Sequence, residues 1–351
     1  MRYTHGLVVG KFYPPHAGHH ALIDAAAKAC DRVTVVVAPT TRESPPLELR
    51  LAWLRAAHPP HVRFVGTYDD HPIDYADPAV WDLHMAVFRT AVATDRVDAV
   101  FSGEPYGAEL ARRFGAAAVT LRREELPVSG TAVRADPVAH WPRLGPGVRS
   151  WLARRVVVVG AESTGTTTLA RALARHFRLR GGVWADTRWV PEFGRELTER
   201  KLAALRETDP GARVEDVTWD RADFVTVARE QNAAEDEAAR TGSPILFGDT
   251  DALATTVWEE RYLGSCSPAV RAQIRAPHLY LLTHHECVPF VDDGLRDGED
   301  IRPWMTRRFT EVLAAQGVPH RVLTGPYPTR LRDAVVACDA LLARGWSWTS
   351  H

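Results

Sequence analysis

The 351-residue sequence predicts an α/β protein made of two doubly wound parallel-sheet domains. Three observations carry that reading. Short apolar runs alternate with helical periodicity along most of the chain, the pattern of parallel strands joined by crossover helices that cover both sheet faces. The order strand, glycine-bearing loop, helix occurs twice, first from Gly6–Gly10 (GLVVG) and again from Arg155–Val159 (RVVVV). The length suits two domains of ~100–200 residues each.

In the first half, strands are expected at Gly6–Gly10, Arg32–Ala38, Val62–Val65, Ala99–Ser102 and Ala117–Leu121, with helices over Ala21–Cys30, Leu47–Ala57 and Trp81–Thr94. Trp141–Val148 (WPRLGPGV) concentrates proline and glycine without periodicity, and reads as a linker between domains at 1–148 and 153–346. In the second half, strands are expected at Arg155–Val159, Pro244–Phe247, His278–Leu282 and His320–Leu323. The helices there are Thr167–Phe177, Asp223–Arg240 and Arg307–Gln316. In such sheets ligands bind at the carboxyl ends of the strands.

Charge narrows the choice of partner. With 43 basic and 44 acidic residues the formal net charge is -1, so neither nucleic acid nor a membrane surface is expected to bind, and an anion must be held by local geometry. Lysine occurs only at Lys11, Lys28 and Lys201. Cys30, Cys266, Cys287 and Cys338 are scattered without a CxxC pair, which fits reduced thiols better than a disulfide framework or a zinc site. There is no signal-peptide pattern and no run near the ~20 apolar residues of a membrane span, so a cytoplasmic location is expected.

After the first strand stands Gly10-Lys11-Phe12-Tyr13-Pro14-Pro15-His16-Ala17-Gly18-His19. Two imidazoles three residues apart at a helix start share one face of the first turn, beside free N–H groups and the positive end of the dipole, a place suited to phosphate. Taken alone, an HxGH string is as often an exposed loop. The whole string resembles the signature of the HxGH nucleotidyltransferase family, and its leading GKF the nicotinamide-mononucleotide branch. A second string, Ser129-Gly130-Thr131-Ala132-Val133-Arg134, places hydroxyls at a helix start and an arginine one turn on; it resembles that family's second ATP motif, S/T-x-T-x-x-R. The resemblance implies that Gly10, Phe12, Gly18, Ser129 and Thr131 bind ATP, while Lys11, His16, His19 and Arg134 position phosphates and stabilise charge. Ser102–Gly107 resembles the loop near the adenine. Trp81 is a candidate to stack on nicotinamide, with a core aromatic as the bland alternative; Arg50 reads as a solvated helix residue.

The second half opens on Gly160-Ala161-Glu162-Ser163-Thr164-Gly165-Thr166-Thr167-Thr168, with the position and glycine spacing of a P-loop, GxxxxGK[ST]. Gly160, Ser163, Thr164, Gly165, Thr166, Thr167 and Thr168 are the expected ATP contacts. Where the motif needs lysine this chain has Thr166, while Thr167 fills the Mg²⁺-ligand position. The domain is then a kinase with an arginine in the lysine's role, a nucleotide binder without turnover, or a relic. Asp249, ending the strand PILF–Gly248, is the expected Walker B carboxylate and second Mg²⁺ ligand, and Asp251 a candidate substrate contact.

GAESTG, the DTD strand end and Val291–Arg296 (VDDGLR) together resemble the kinase half of the NadR-type bifunctional nicotinamide-nucleotide adenylyltransferases/ribosylnicotinamide kinases, over nearly the full length and in the same domain order. That resemblance implies an HxGH Rossmann-like domain followed by a P-loop kinase-like domain. It implies the substrates ATP, nicotinamide mononucleotide and nicotinamide riboside, and Mg²⁺ as the metal. Glu192, in Trp189–Arg195, is the implied contact or base for the ribose hydroxyl, and Arg296 the lid cation replacing the lysine. Some members carry an added DNA-binding helix-turn-helix, for which no module is expected here. Two rivals fit the same strings: an HxGH transferase for another phosphorylated acceptor such as phosphopantetheine, and an adenylyltransferase fused to a non-catalytic nucleotide sensor. The sequence leaves a homo-oligomer open.

Overall fold

A computed structural model describes residues 2–93, 95–122, 128–286, 288–291 and 298–349. The chain forms two compact units, Met1–Val148 together with Trp346–His351, and Arg149–Gly345.

The elements of the first unit run β1 (Tyr3–Gly10), α1 (Ala17–Ala29), β2 (Cys30–Val37), α2 (Leu47–Ala57), β3 (Val62–Gly66), α3 (Pro78–Val92), β4 (Ala99–Ser102), α4 (Gly107–Phe114), β5 (Ala117–Thr120) and α5 (Gly130–Ala135), followed by α6 (Pro146–Leu152). The sheet is parallel, in order β3-β2-β1-β4-β5, with β1 central and in register at Gly10↔Val37 and Val8↔Phe101. Because side chains alternate along a strand, Leu7 and Val9 face Trp81, Met85, Phe88 and Leu110, while Val8 faces Leu22, Ile23, Leu51 and Leu54. Both faces are thus apolar, which is why the strands read as unbroken valine-rich runs. The strand order reverses at β1, which places the crevice for ligands at its carboxyl end.

Two expectations are corrected here. Helix α1 begins four residues before Ala21, since His16 caps it, and it ends before Cys30, which starts β2. Trp141–Val148 is not an open linker: it forms a 3-10 turn over Trp141–Arg143 and the first turn of α6, with Trp141, Leu144 and Val148 buried. All three apolar side chains leave solvent, and that burial outweighs the local proline and glycine content.

The second unit runs β6 (Arg154–Gly160), α7 (Thr166–Arg178), β7 (Arg188–Val190), α8 (Phe193–Thr208), α9 (Arg221–Thr241), β8 (Ile245–Asp249), α10 (Ala252–Leu263), α11 (Pro268–Arg271), β9 (Leu279–Thr283), α12 (Arg302–Gln316), β10 (His320–Leu323) and α13 (Tyr327–Ala343). Its sheet is also parallel, in order β10-β9-β6-β8-β7. Val156 and Val158 pack with Leu173, Phe177, Phe247 and Leu281 on one face; Val157 and Val159 pack with Tyr280, Met305, Phe309 and Leu313 on the other. Among the described residues no helix is long and apolar enough to cross a membrane.

A buried carboxyl in α9 gives this unit a pH signature. Glu235 is 4% exposed, and burial together with nearby Asp251 pushes it up to about 8. Burial also raises Asp249 and Asp251 to about 6 and lowers His278 to about 4. Of these groups only Glu235 still titrates above pH 6.5. Its folded form keeps a proton that the unfolded chain has released, so stability falls as pH rises toward 8. Unfolding by urea at pH 6.5 and pH 8 should show a loss of ~1–3 kcal/mol that Glu235→Gln removes; an equal loss in the variant would discard this assignment.

Candidate functional site

In the first unit, the turn after β1 carries the two histidines to the carboxyl end of the sheet. His16 is the N-cap of α1 in extended conformation, and its Nδ1 accepts from the His19 N–H. Nε2 of a neutral His16 therefore carries the proton. The two imidazoles stack with centroids 3.7 Å apart. His16 Nε2 and His19 Nδ1 are buried and meet no partner. Burial, then the charge of neighbouring groups, lowers both, His16 to about 4. The pair is thus neutral at pH 7, with hydrogen-bonding capacity that the protein itself leaves unused. A buried unsatisfied polar atom costs ~1–3 kcal/mol, a cost that a ligand oxygen accepting from the ring would remove.

The second string arrives beside the first. A side chain at Gly18 would meet the Val128 carbonyl at 2.7 Å, and one at Gly130 would lie 3.2 Å from the Tyr13 carbonyl and 3.7 Å from His16 Nε2. Glycine at both positions lets the loops close on one another. Ser129 caps α5 by accepting from Ala132 N–H. Arg134 donates to the Tyr13 carbonyl (2.8 Å) and to Thr131 Oγ1 (3.2 Å), and its guanidinium lies over the Tyr13 ring. His16, His19, Gly18, Gly130, Thr131 and Arg134 thus converge.

Several expected ligands serve the protein instead. Lys11 is not an isolated charge: its Nζ donates to Glu43 Oε1 at 2.7 Å. Phe12, with φ of 50°, buries its ring in the core against His19, because an apolar ring on a strand end finds more contact inward than at a phosphate. Trp81 is 5% exposed and sits in the core; its Nε1 donates to the Tyr75 carbonyl and the Tyr75 ring lies against it. The stacking role expected of Trp81 therefore gives way to the core reading.

Arg50 is the reverse case. It is fully buried rather than solvated, donating to the carbonyls of Pro45 and Lys11 and pairing with Glu43. It braces the phosphate loop from below. The segment Trp346–Thr349 braces the same loop from the other end of the sequence. The Trp348 carbonyl accepts from Ser44 N–H and from the Tyr13 hydroxyl, Trp348 Nε1 donates to the Arg134 carbonyl, and Thr349 bridges to Glu43. No local motif announces either brace, since their partners lie far away in sequence.

In the second unit, β6 ends at Gly160, where a side chain would fall 2.2 Å from Thr283 Oγ1. The loop turns through Ser163 (φ 55°) and Gly165 (φ 87°) into α7, which starts at Thr166. Buried Arg330 donates to the carbonyls of Thr164, Glu286 and Gly325 and so fixes the turn. The loop opens on a cleft lined by Gly160, Ser163, Thr166, Thr167, Glu192, Arg195 and Asp249, with Trp219, Phe224, Trp258 and Tyr262 as its aromatic wall. Asp249 ends β8, 2% exposed; burial raises it, while the nearby hydroxyls of Thr167 and Thr166 pull it the other way.

The hydroxyl of Thr164 is engaged with Ala161 and Thr283, and Thr168 is exposed on α7 away from the cleft. Asp251 is corrected from substrate contact to structural residue. One carboxylate oxygen caps α10 through Ala254 N–H and the other accepts from Tyr280 at 2.6 Å. Arg296 lies outside the described residues. Among the described residues, Arg195 is the one cation lining the cleft, and its charge reaches Asp249. It stands in the same string as Glu192, but nothing local singles it out; only α8 aims it.

The geometry has counterparts among known proteins. The trifunctional NAD biosynthesis/regulator protein NadR of Escherichia coli (strain K12) is 25% identical over 315 residues, 84% of this chain and 72% of that protein. The NadR of Salmonella typhimurium is 25% identical over 83% of this chain and 71% of its own. A solved NadR protein in complex with NR superposes with a TM-score of 0.70 at 23% identity, covering 100% of this chain and 99% of that one. Another, in complex with NAD and AMP-PNP, has a TM-score of 0.71 at 23% identity with 99% of both chains covered. At that identity the likeness establishes a shared fold across both units. The phosphate-loop strand, its helix and the Asp249 strand fall inside residues 155–330, half of the chain, which match the family model described as AAA domain, and the chain belongs to that family.

Proposed function

We propose that the protein makes NAD in two consecutive steps, phosphorylating nicotinamide riboside in the second unit and adenylylating nicotinamide mononucleotide in the first, which we read as an HxGH nucleotidyltransferase domain. The observation that carries it is the stacked His16–His19 pair, each ring with one buried, unpartnered nitrogen, beside Arg134. It lies in a chain whose relatives, over 84% of its length, are named for NAD biosynthesis.

In the adenylyl step, a 5′-phosphate oxygen of the mononucleotide attacks the α-phosphorus of ATP; a new P–O bond forms and pyrophosphate leaves. His16 and His19 donate to the ATP phosphates, Arg134 with Thr131 meets the charge that moves onto pyrophosphate, and the glycines let backbone approach. Lys11 acts through Glu43 and the loop.

In the kinase step, the 5′-hydroxyl of the riboside attacks the γ-phosphorus, its proton passes to Glu192 in the cleft, and ADP leaves. The P-loop amides cradle the phosphates. Asp249 and the Thr167 hydroxyl form a hard-oxygen pair that fits Mg²⁺, which when bound would neutralise phosphate charge. Arg195 supplies the positive charge missing at Thr166.

Incubation of the purified protein with ATP, Mg²⁺ and nicotinamide riboside is expected to give NAD through the mononucleotide, with ADP and pyrophosphate in equal amounts. NAD from the mononucleotide but none from the riboside would favour a second reading, to which Thr166 points: a nucleotide-sensing second unit that modulates the first.

A further inference from the structure

The sequence around β3 and α3 joins three metal-ligating residue types that the reading above does not use. Asp69 follows β3, where Thr67 N–H and Asp69 N–H continue the ladder onto the carbonyls of Val37 and Pro39. His71 lies two residues on, and His84 is on the second turn of α3. A carboxylate oxygen and one ring nitrogen from each imidazole lie within 4.8 Å of one another. The Asp69 side chain is 6% exposed and that of His84 13%, while His71 closes the solvent side.

The hydrogen bonds of His84 make this more than proximity. Its Nε2 lies 3.0 Å from the Pro72 carbonyl, which can only accept, so Nε2 bears a proton. In a neutral imidazole Nδ1 is then a bare lone pair, and it faces Asp69 Oδ2 at 2.6 Å. Two lone pairs at that distance must share a cation: a second ring proton, which makes the contact an ion pair, or a metal ion in its place. A ring whose Nε2–H is held by a backbone carbonyl has its orientation fixed with Nδ1 left to coordinate, the outer-shell arrangement of metal-bound histidines.

We infer that Asp69, His71 and His84 form a site for a divalent first-row transition ion of the zinc class. Two imidazoles and one carboxylate suit such an ion better than Mg²⁺ or Ca²⁺, which favour all-oxygen shells. Ligands ~2.0–2.2 Å from zinc sit ~3.3 Å apart across a tetrahedron, so the carboxylate–imidazole contacts need open by less than ~1 Å. Three protein ligands leave the fourth position, on the side of His71, for water or a small anion. Bound there, the ion ties the β3–α3 connection to the first turns of α3 at the end of the sheet where the phosphate loop lies.

The test uses the full chain stripped with a chelator and titrated with Zn²⁺ or Co²⁺ alone. One ion per chain, an intense tetrahedral-type Co²⁺ absorption and a Zn²⁺-dependent rise in melting temperature are expected. His84→Ala and Asp69→Asn should each weaken binding by more than the ~10–100-fold that loss of an outer partner costs. His71→Ala, at the more exposed position, supplies a variant whose folding is least at risk and should remove the Co²⁺ spectrum as well. Binding indistinguishable among the wild type and all three variants, or no stoichiometric binding at all, would overturn the site and leave an Asp69–His84 ion pair. Because the readout is metal content and spectrum, failure here leaves the adenylyl and kinase readings untouched.

Discussion

His19→Ala is expected to lower kcat/KM for adenylylation of nicotinamide mononucleotide by ~10²–10³-fold, the loss seen when one preorganised donor to a developing charge is removed. Riboside phosphorylation, assigned to the other unit, should stay within about twofold of wild type. The physical reason lies in the pairing. The His19 ring stacks on His16 at 3.7 Å and against Phe12 at 4.9 Å, so removing it deletes one donor and loosens the other. Because the ring is partly buried and packed on two neighbours, Ala also removes contacts, and a urea transition measured alongside separates lost stability from lost chemistry. His19→Asn keeps a donor of similar reach and should recover part of the rate. Loss of both activities in a folded variant would undercut the assignment of one reaction to each unit.

Arg195→Ala is expected to reduce kcat for riboside phosphorylation by ~10²–10³-fold with a smaller change in KM for ATP, since a charge that matters most as the phosphoryl group transfers is reported in kcat. Adenylylation should not respond. Thr166 lies near Asp249 and brings no charge to the phosphates; among the described residues Arg195 is the cation that lines the cleft. Introducing lysine by Thr166→Lys in the Arg195→Ala background tests the substitution directly, and recovery of a large part of the lost rate is the expected result. An unchanged rate in Arg195→Ala would show that the lysine's role is filled elsewhere or not at all.

What was legible in the sequence was local. Strand, loop and helix alternation is written in runs such as Val35–Val37 and Val156–Val159, because a strand covered on both faces must be apolar at nearly every position. Both phosphate loops were legible for a related reason: a helix N-terminus, close glycines and a few polar side chains occupy one contiguous string. The same local reading left Trp81 open between ligand and core, and placed Phe12 at ligand and Arg50 in solvent. The structure buries all three, since a flat string does not show which face of a loop or helix the rest of the chain covers. Trp141–Val148 ends where the first unit gives way to the second, but it is structured rather than open: its proline and glycine were visible, while the burial of Trp141 and Val148 was not.

The sequence by itself determined two phosphate-handling α/β units and the strings that open them, because backbone amides and neighbouring side chains in those loops need only short-range geometry. The tertiary structure alone decided what surrounds the strings. It set Arg50 under the first loop, Arg330 under the second, Trp348 against Tyr13 and Arg134, and His84 against Asp69, and it brought Arg195 and Thr166 to the lining of one cleft. Each of these contacts joins residues from different elements, and which elements meet follows from strand order and from the burial of apolar surface. That burial is non-directional and cooperative over a whole sheet, so no single stretch of sequence contains it.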